Sequence, residues 1–238
     1  MDQTPDSPLA RLTALTEAIV APQAAGAAPP PLVPLPQMAL VRGRVHEFTG
    51  PSRRVLAGLA AGVAQAEGPV VWLRPAWRVE GLYPPGLAAL MPDPGALVVV
   101  QCRRPDDILW GLEEALRAGC VALAVGELAS VPDLRQLRRL HLAAAEGLSR
   151  NRLAGRAAPA PLGLVLDAET AASRVPGVES RWALHPLPPG RGAGRWRLDR
   201  LLMRGQPPRD WEIARLPVMD LPLLDPPSDA RAPLAQPA

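Results

Sequence analysis

The residues whose types and spacing best suit chemistry lie in "VHEFTGPSRRVLAGLAAGVAQ", residues 45–65: a strand-like run, a Gly-Pro turn and a small-residue helix. That order opens many nucleotide-binding domains. A working phosphate loop adds a second glycine, a lysine that reaches the β and γ phosphates, and a hydroxyl on the magnesium. Gly50 supplies the first glycine, but the same frame puts Val55, Leu56 and Ala57 where the second glycine, the lysine and the hydroxyl belong. No register shift restores the lysine, because all 26 basic residues of the 238 are arginine. Arg53 or Arg54 could bind phosphate, yet a planar guanidinium does not replace an ammonium. Free N–H groups at the helix start could still hold an anion. Gly50, Pro51, Ser52, Arg53 and Arg54 are therefore a degenerate phosphate loop, expected to serve as a strand-to-helix turn without nucleotide hydrolysis.

Folds of this kind also place an acidic residue at the end of a buried strand to order magnesium. In "VALAVGEL" the strand ends at Gly126 and Glu127, so Glu127 is the candidate; the ordinary role of such a residue is an exposed cap or ion-pair member. After "VVWL" stand Arg74, Pro75 and Ala76, with no carboxylate to act as a base. His46, His141 and His185 are scattered, and no Ser-His-Asp or Cys-His spacing points to nucleophilic catalysis. Cys102 and Cys120 lack CxxC spacing and read as buried reduced thiols. The expectation is a protein without metal, cofactor or catalytic residues.

Three stretches have the chemistry of interaction surfaces. Arg135, Arg138 and Arg139 share a predicted helix and face phosphates, an acidic partner or simply solvent. Trp77 beside Arg74 and Arg78 could stack on single-stranded DNA, although tryptophans on strands and helices ordinarily pack. In "LPVMDLPLLD", Leu216, Met219, Leu221, Leu223 and Leu224 sit among prolines, as in segments that bind grooves in extended form.

The elements that must position these residues follow from periodicity. "VVWLRP", "ALVVVQC" and "CVALAVGEL" are short continuous apolar runs, as expected of parallel strands covered on both faces. Helices are predicted over residues 53–66, over 106–117 with Gly119 as the stop, and from Asp133, where Asp133 and Gln136 resemble a capping box. After "APLGLVLD", the Trp-containing runs "ESRWALHPL", "GRWRLDRLLMRG" and "RDWEIARL" read as antiparallel strands at the end of the sheet. The fold class is α/β with a mainly parallel central sheet flanked by helices.

Around this core, Leu9, Leu12, Leu15 and Ile19 form the stripe of an N-terminal amphipathic helix over residues 1–20, packed on the core or used in self-association. Residues 21–39 are a Pro/Ala-rich spacer, 40–216 the domain, and 217–238 a Pro-rich tail. With 31 prolines, 20 glycines, one Phe and one Tyr, core volume must come from Leu, Val, Ala and six Trp. A net charge of +3 permits weak attraction to polyanions and no more. The start lacks a signal-peptide pattern and no run spans a bilayer, which predicts a cytoplasmic protein with no membrane contact.

Over residues 40–216, "VHEFTGPSRRVLAGLAA", "GPVVWLRPAW", "DDILWGLEEALRAGCVALAVGEL", "LRQLRRLHLAAAEG", "SRWALHPL" and "RWRLDRLLMRGQPPRDW" occur in an order that resembles the ImuA family, translesion-synthesis accessory proteins related to RecA and SulA. The resemblance implies a RecA-like core made during the SOS response to DNA damage. It also implies an adaptor that works with ImuB, a Y-family polymerase relative, and indirectly with an error-prone replicative-type polymerase. RecA and DNA are further candidate partners. The degenerate loop sets the chain apart from a filament-forming recombinase. A DNA-dependent ATPase or RecA-binding modulator, and a SulA-like division inhibitor acting on FtsZ, are the alternatives.

Overall fold

A computed structural model describes residues 29–153, 160–166, 177–188 and 195–218. The helix expected at residues 1–20 lies outside them, as do Met219, Leu221, Leu223 and Leu224. Eight strands form one sheet: β3 (Val45–Thr49), β4 (Val70–Pro75), β5 (Val98–Cys102), β6 (Leu123–Glu127), β7 (Leu162–Leu166), β8 (Ser180–Pro186), β9 (Trp196–Met203) and β10 (Arg209–Ile213). Their order across the sheet is β10-β9-β8-β3-β7-β6-β4-β5. Every pair from β8 to β5 is parallel, while β8–β9 and β9–β10 are antiparallel. This is the mixed α/β architecture that the apolar runs predict, with the antiparallel strands at the C-terminal end.

Among the described residues, four helices flank the sheet: α1 (Arg53–Ala64), α2 (Pro84–Leu90), α3 (Pro105–Ala118) and α4 (Leu134–Leu153). Strand pleating sends alternate side chains to opposite faces. On one face Phe48, Trp72, Leu123, Val125, Leu162, Leu164 and Leu166 pack with the buried side of α1. On the other, Val45, Leu73, Ala124 and Val165 meet Ile108, Leu112 and Leu116 of α3 and Leu137 and Leu140 of α4. Both expected stop and start signals operate. Gly119 adopts φ 73° after α3, and the Gln136 amide donates to Asp133 Oδ1 at 2.7 Å while the Asp133 amide donates back to Gln136 Oε1 at 2.9 Å.

Residues 21–39 do not form a spacer throughout. β1 (Leu32–Leu35) and β2 (Met38–Leu40) make an antiparallel hairpin. Leu32, Leu35, Met38 and Leu40 are buried in the same core as α1. The prolines are tolerated because this two-stranded sheet has only edges.

Coverage of the strands also departs from expectation. β6 and β7 are buried along their full length, whereas β5, with the same kind of apolar run, exposes Val98, Val99 and Val100 at 50%, 44% and 38%. Among the described residues β5 is the last strand in the order, with a strand neighbour on one side only. Cys102 is buried as expected, but Cys120 is exposed because it lies beyond the α3 stop and before β6.

Candidate functional site

β3 lies inside the sheet, between β7 and β8, and delivers the chain into the turn at Gly50. Only Gly50, Pro51 and Ser52 separate β3 from α1. Gly50 has φ 82°, a conformation that suits glycine, and a Cβ there would stand 3.3 Å from the His185 ring. Pro51 has no N–H to offer. The Ser52 amide donates to the Leu184 carbonyl at 3.2 Å and the Arg53 amide to the Gly50 carbonyl at 3.4 Å. The turn is thus tied to β8 and to itself, and the amides of Ser52 and Arg53 are spent within the protein. Arg53 adds a side-chain bond to the Gly50 carbonyl at 3.2 Å.

Arg54, one residue further into α1, turns toward the C-terminal end of β6. Its Nε donates to Glu127 Oε1 at 3.1 Å and its Nη2 to Glu127 Oε2 at 2.7 Å. Trp72 of β4 donates its indole N–H to Glu127 Oε1 at 2.9 Å. Glu127 is 3% exposed and Trp72 fully buried, so this carboxylate faces three donors in a dry setting. A forked guanidinium on both oxygens is the strong form of charge-assisted bonding. Glu127 stands at the strand end as the sequence predicts, as an ion-pair member rather than an exposed cap. Both of its oxygens are thus engaged by donors from within the protein. Among the described residues no group of three or more His, Cys, Asp or Glu side chains is placed to hold a metal ion. Sequence reasoning reached Arg54 and Glu127 separately and missed Trp72, because a tryptophan on a strand carries no sign of which carboxylate its N–H will meet.

A second polar network binds β3 to β8. His46 Nε2 lies 3.0 Å from the Val41 carbonyl and its Nδ1 lies 2.7 Å from Ser180 Oγ, which accepts the Trp182 indole N–H at 2.8 Å. The carbonyl requires a proton on Nε2, so Nδ1 accepts from the serine. Burial pushes the His46 pKa down to about 4 despite the Val41 bond. The ring is a neutral structural element. Beside it, Arg181 donates to Glu47 directly across the β3–β8 pairing.

The candidate surfaces separate. Arg74 is buried, its Nη2 donating to the carbonyls of Arg78 at 3.0 Å and Glu80 at 2.6 Å, so it pins the loop after β4 instead of joining a surface. Trp77 on that loop is exposed and Arg78 half-buried. Arg135 and Arg138 are exposed, whereas Arg139 reaches Glu113 of α3 at 2.6 Å and rims a groove of about 350 Å³ with Trp110 and Asp106. Leu216 is buried in the first core and is no part of an open tail.

No protein-family model matches the chain. It is 34% identical over 157 residues to Protein ImuA from two strains of Caulobacter vibrioides. The match takes in 60% of this chain, which spans 59% of the length of those curated relatives. This similarity to Protein ImuA, over part of each chain, is in line with the resemblance in the ordered motifs.

Proposed function

We propose that this protein is a non-catalytic adaptor in a DNA-damage mutagenesis system, binding an ImuB-type relative of Y-family polymerases and, through it, an error-prone replicative-type polymerase. The observation that carries the non-catalytic half is the Arg54–Glu127 pair: the carboxylate best placed for magnesium holds the last arginine of the degenerate loop at 2.7 Å. The likeness to Protein ImuA supports the choice of system. The central β3 entering a tight turn, with antiparallel strands closing the sheet, is compatible with a RecA-like scaffold that retains shape without the nucleotide cycle.

Two measurements test the halves separately. Titration with ATP and magnesium should give no saturable binding, and saturable binding would end the non-catalytic assignment. Size exclusion with the ImuB-type protein of the same organism, over a salt series, should give a stable complex. Separate elution with both proteins folded at micromolar concentration would end the adaptor assignment.

A further inference from the structure

His141 marks one flank of α4. Its Nδ1 accepts the Val45 amide at 3.3 Å and its Nε2 donates to the Gly177 carbonyl at 3.1 Å, which fastens this flank to β3 and to the residues just before β8. Arg44, next to Val45 in the chain, stands beside the ring, as does Arg204 from the turn between β9 and β10; the charge of each acts on it. Both guanidiniums lean on one carboxylate, Glu179, at the loose distances of 3.8 and 3.9 Å. The side chain of Glu179 is only 14% exposed, against 47% for Arg44 and 76% for Arg204, so the face turned to solvent is positive. On the same side of α4, Arg138 lies about one turn before His141 and Arg152 about three turns after it. Both are exposed, and among the described residues neither enters an ion pair.

The flank of α4 toward α3 is balanced instead. There Arg117, Arg139 and Arg150 are paired with Glu113, Glu114 and Glu146. The groove rimmed by Trp110 opens on that side as well. α4 thus divides a neutral ion-pair network from a convex basic ridge.

We infer that the His141 flank of α4, with Arg44, Arg138, Arg152 and Arg204, is a contact for the phosphate backbone of double-stranded DNA. Arginines without a carboxylate of their own are suited to forked bonds with phosphate oxygens. Their spread suits an extended polyanion: Arg138 and Arg152 stand ~21 Å apart along the helix axis, a length that holds about six phosphates of one duplex strand. The choice of duplex over single strand follows from what the ridge lacks. α4 carries no Trp, Tyr or Phe, and the exposed Trp77, Tyr83 and Trp110 belong to other elements, so the ridge has no surface on which unpaired bases could stack. This contact belongs to the isolated chain and does not rest on the adaptor reading.

Fluorescence anisotropy of the full chain with a labelled mixed-sequence DNA duplex of about 20 base pairs, across a salt series, tests this. Affinity should fall with salt at a logarithmic slope of about −3 to −4, as for three or four neutralised phosphates. Arg138→Ala with Arg152→Ala should leave the circular dichroism unchanged, weaken binding about tenfold at low salt and bring the slope to about −2. Should that variant misfold, Arg204→Ala in its exposed turn decides, with a slope smaller by about one. Arg103→Ala with Arg215→Ala removes the same charge from exposed positions off this ridge and should leave the affinity within about twofold. No binding at low salt, equal affinity for wild type and the α4 variant, or an equal loss in the Arg103 and Arg215 control overturns the proposal. Tighter binding to a single strand of the same sequence overturns it too, since that preference requires an aromatic surface elsewhere.

Discussion

Arg54 and Glu127 come from elements that are adjacent neither in sequence nor in the sheet order, yet the guanidinium of one grips both oxygens of the other at 3.1 and 2.7 Å. α1 and the end of β6 are thereby fastened together at the mouth of the turn that begins at Gly50. The protein supplies from its own side chains the positive charge that the strand-end carboxylate needs.

Arg54→Ala strands the buried Glu127 with a single donor, Trp72, and should lower stability by about 3 kcal/mol in chemical denaturation. Adding Glu127→Gln to that variant removes the uncompensated charge and should restore a large part of the loss. A double variant no more stable than the single one would show that Arg54 acts through packing alone.

Protonation of His46 opposes folding. Its folded pKa of about 4 lies below the ordinary value of 6.5, so the unfolded chain takes up a proton at higher pH than the native one. Stability from this group is complete above about pH 6.5 and falls as pH drops toward 4, by about 3 kcal/mol in total. Burial lowers the pKa of His141 as well, which adds in the same direction. In denaturation curves across this range, His46→Gln, with an amide donor and acceptor in place of the ring, should show a shallower pH dependence than the wild type.

Arg138 and Arg139 are neighbours with different duties. Arg139→Glu sets a carboxylate against Glu113 and should cost about 1 kcal/mol, whereas Arg138→Glu should change stability by less than about 0.5 kcal/mol. If the exposed face of α4 binds an acidic partner or phosphates, Arg135→Glu with Arg138→Glu weakens that binding most at low salt. Equal affinities for wild type and variant at low ionic strength would remove α4 from the interaction.

At Gly147 α4 approaches the end of α3 closely: a Cβ there would fall 2.1 Å from the Leu116 carbonyl oxygen. Since the obstacle is backbone, the helices must separate to admit even a methyl group. Gly147→Ala should therefore lower the melting temperature by several degrees, equivalent to about 1 to 3 kcal/mol.

Local chemistry was enough to place most elements. Periodicity located α1, α3 and α4 and the interior strands, and Asp133, Gln136 and Gly119 marked helix ends, because capping bonds form between residues close in the chain. The sequence alone also ruled out a complete phosphate loop, since a missing lysine is missing in every fold. Tertiary structure decided the rest. It buried Arg74 and Leu216, which read as surface, and built the hairpin at Leu32–Leu40 where prolines suggested a spacer. It left β5 open although its run resembles that of the buried β6, and it brought Arg54, Trp72 and Glu127 together from α1, β4 and β6. Apolarity along a strand is a local property, but its place at the centre or edge of the sheet depends on which strands flank it. In the same way, the partner of a buried charge is set by the crossing of distant elements, which no spacing along the chain records.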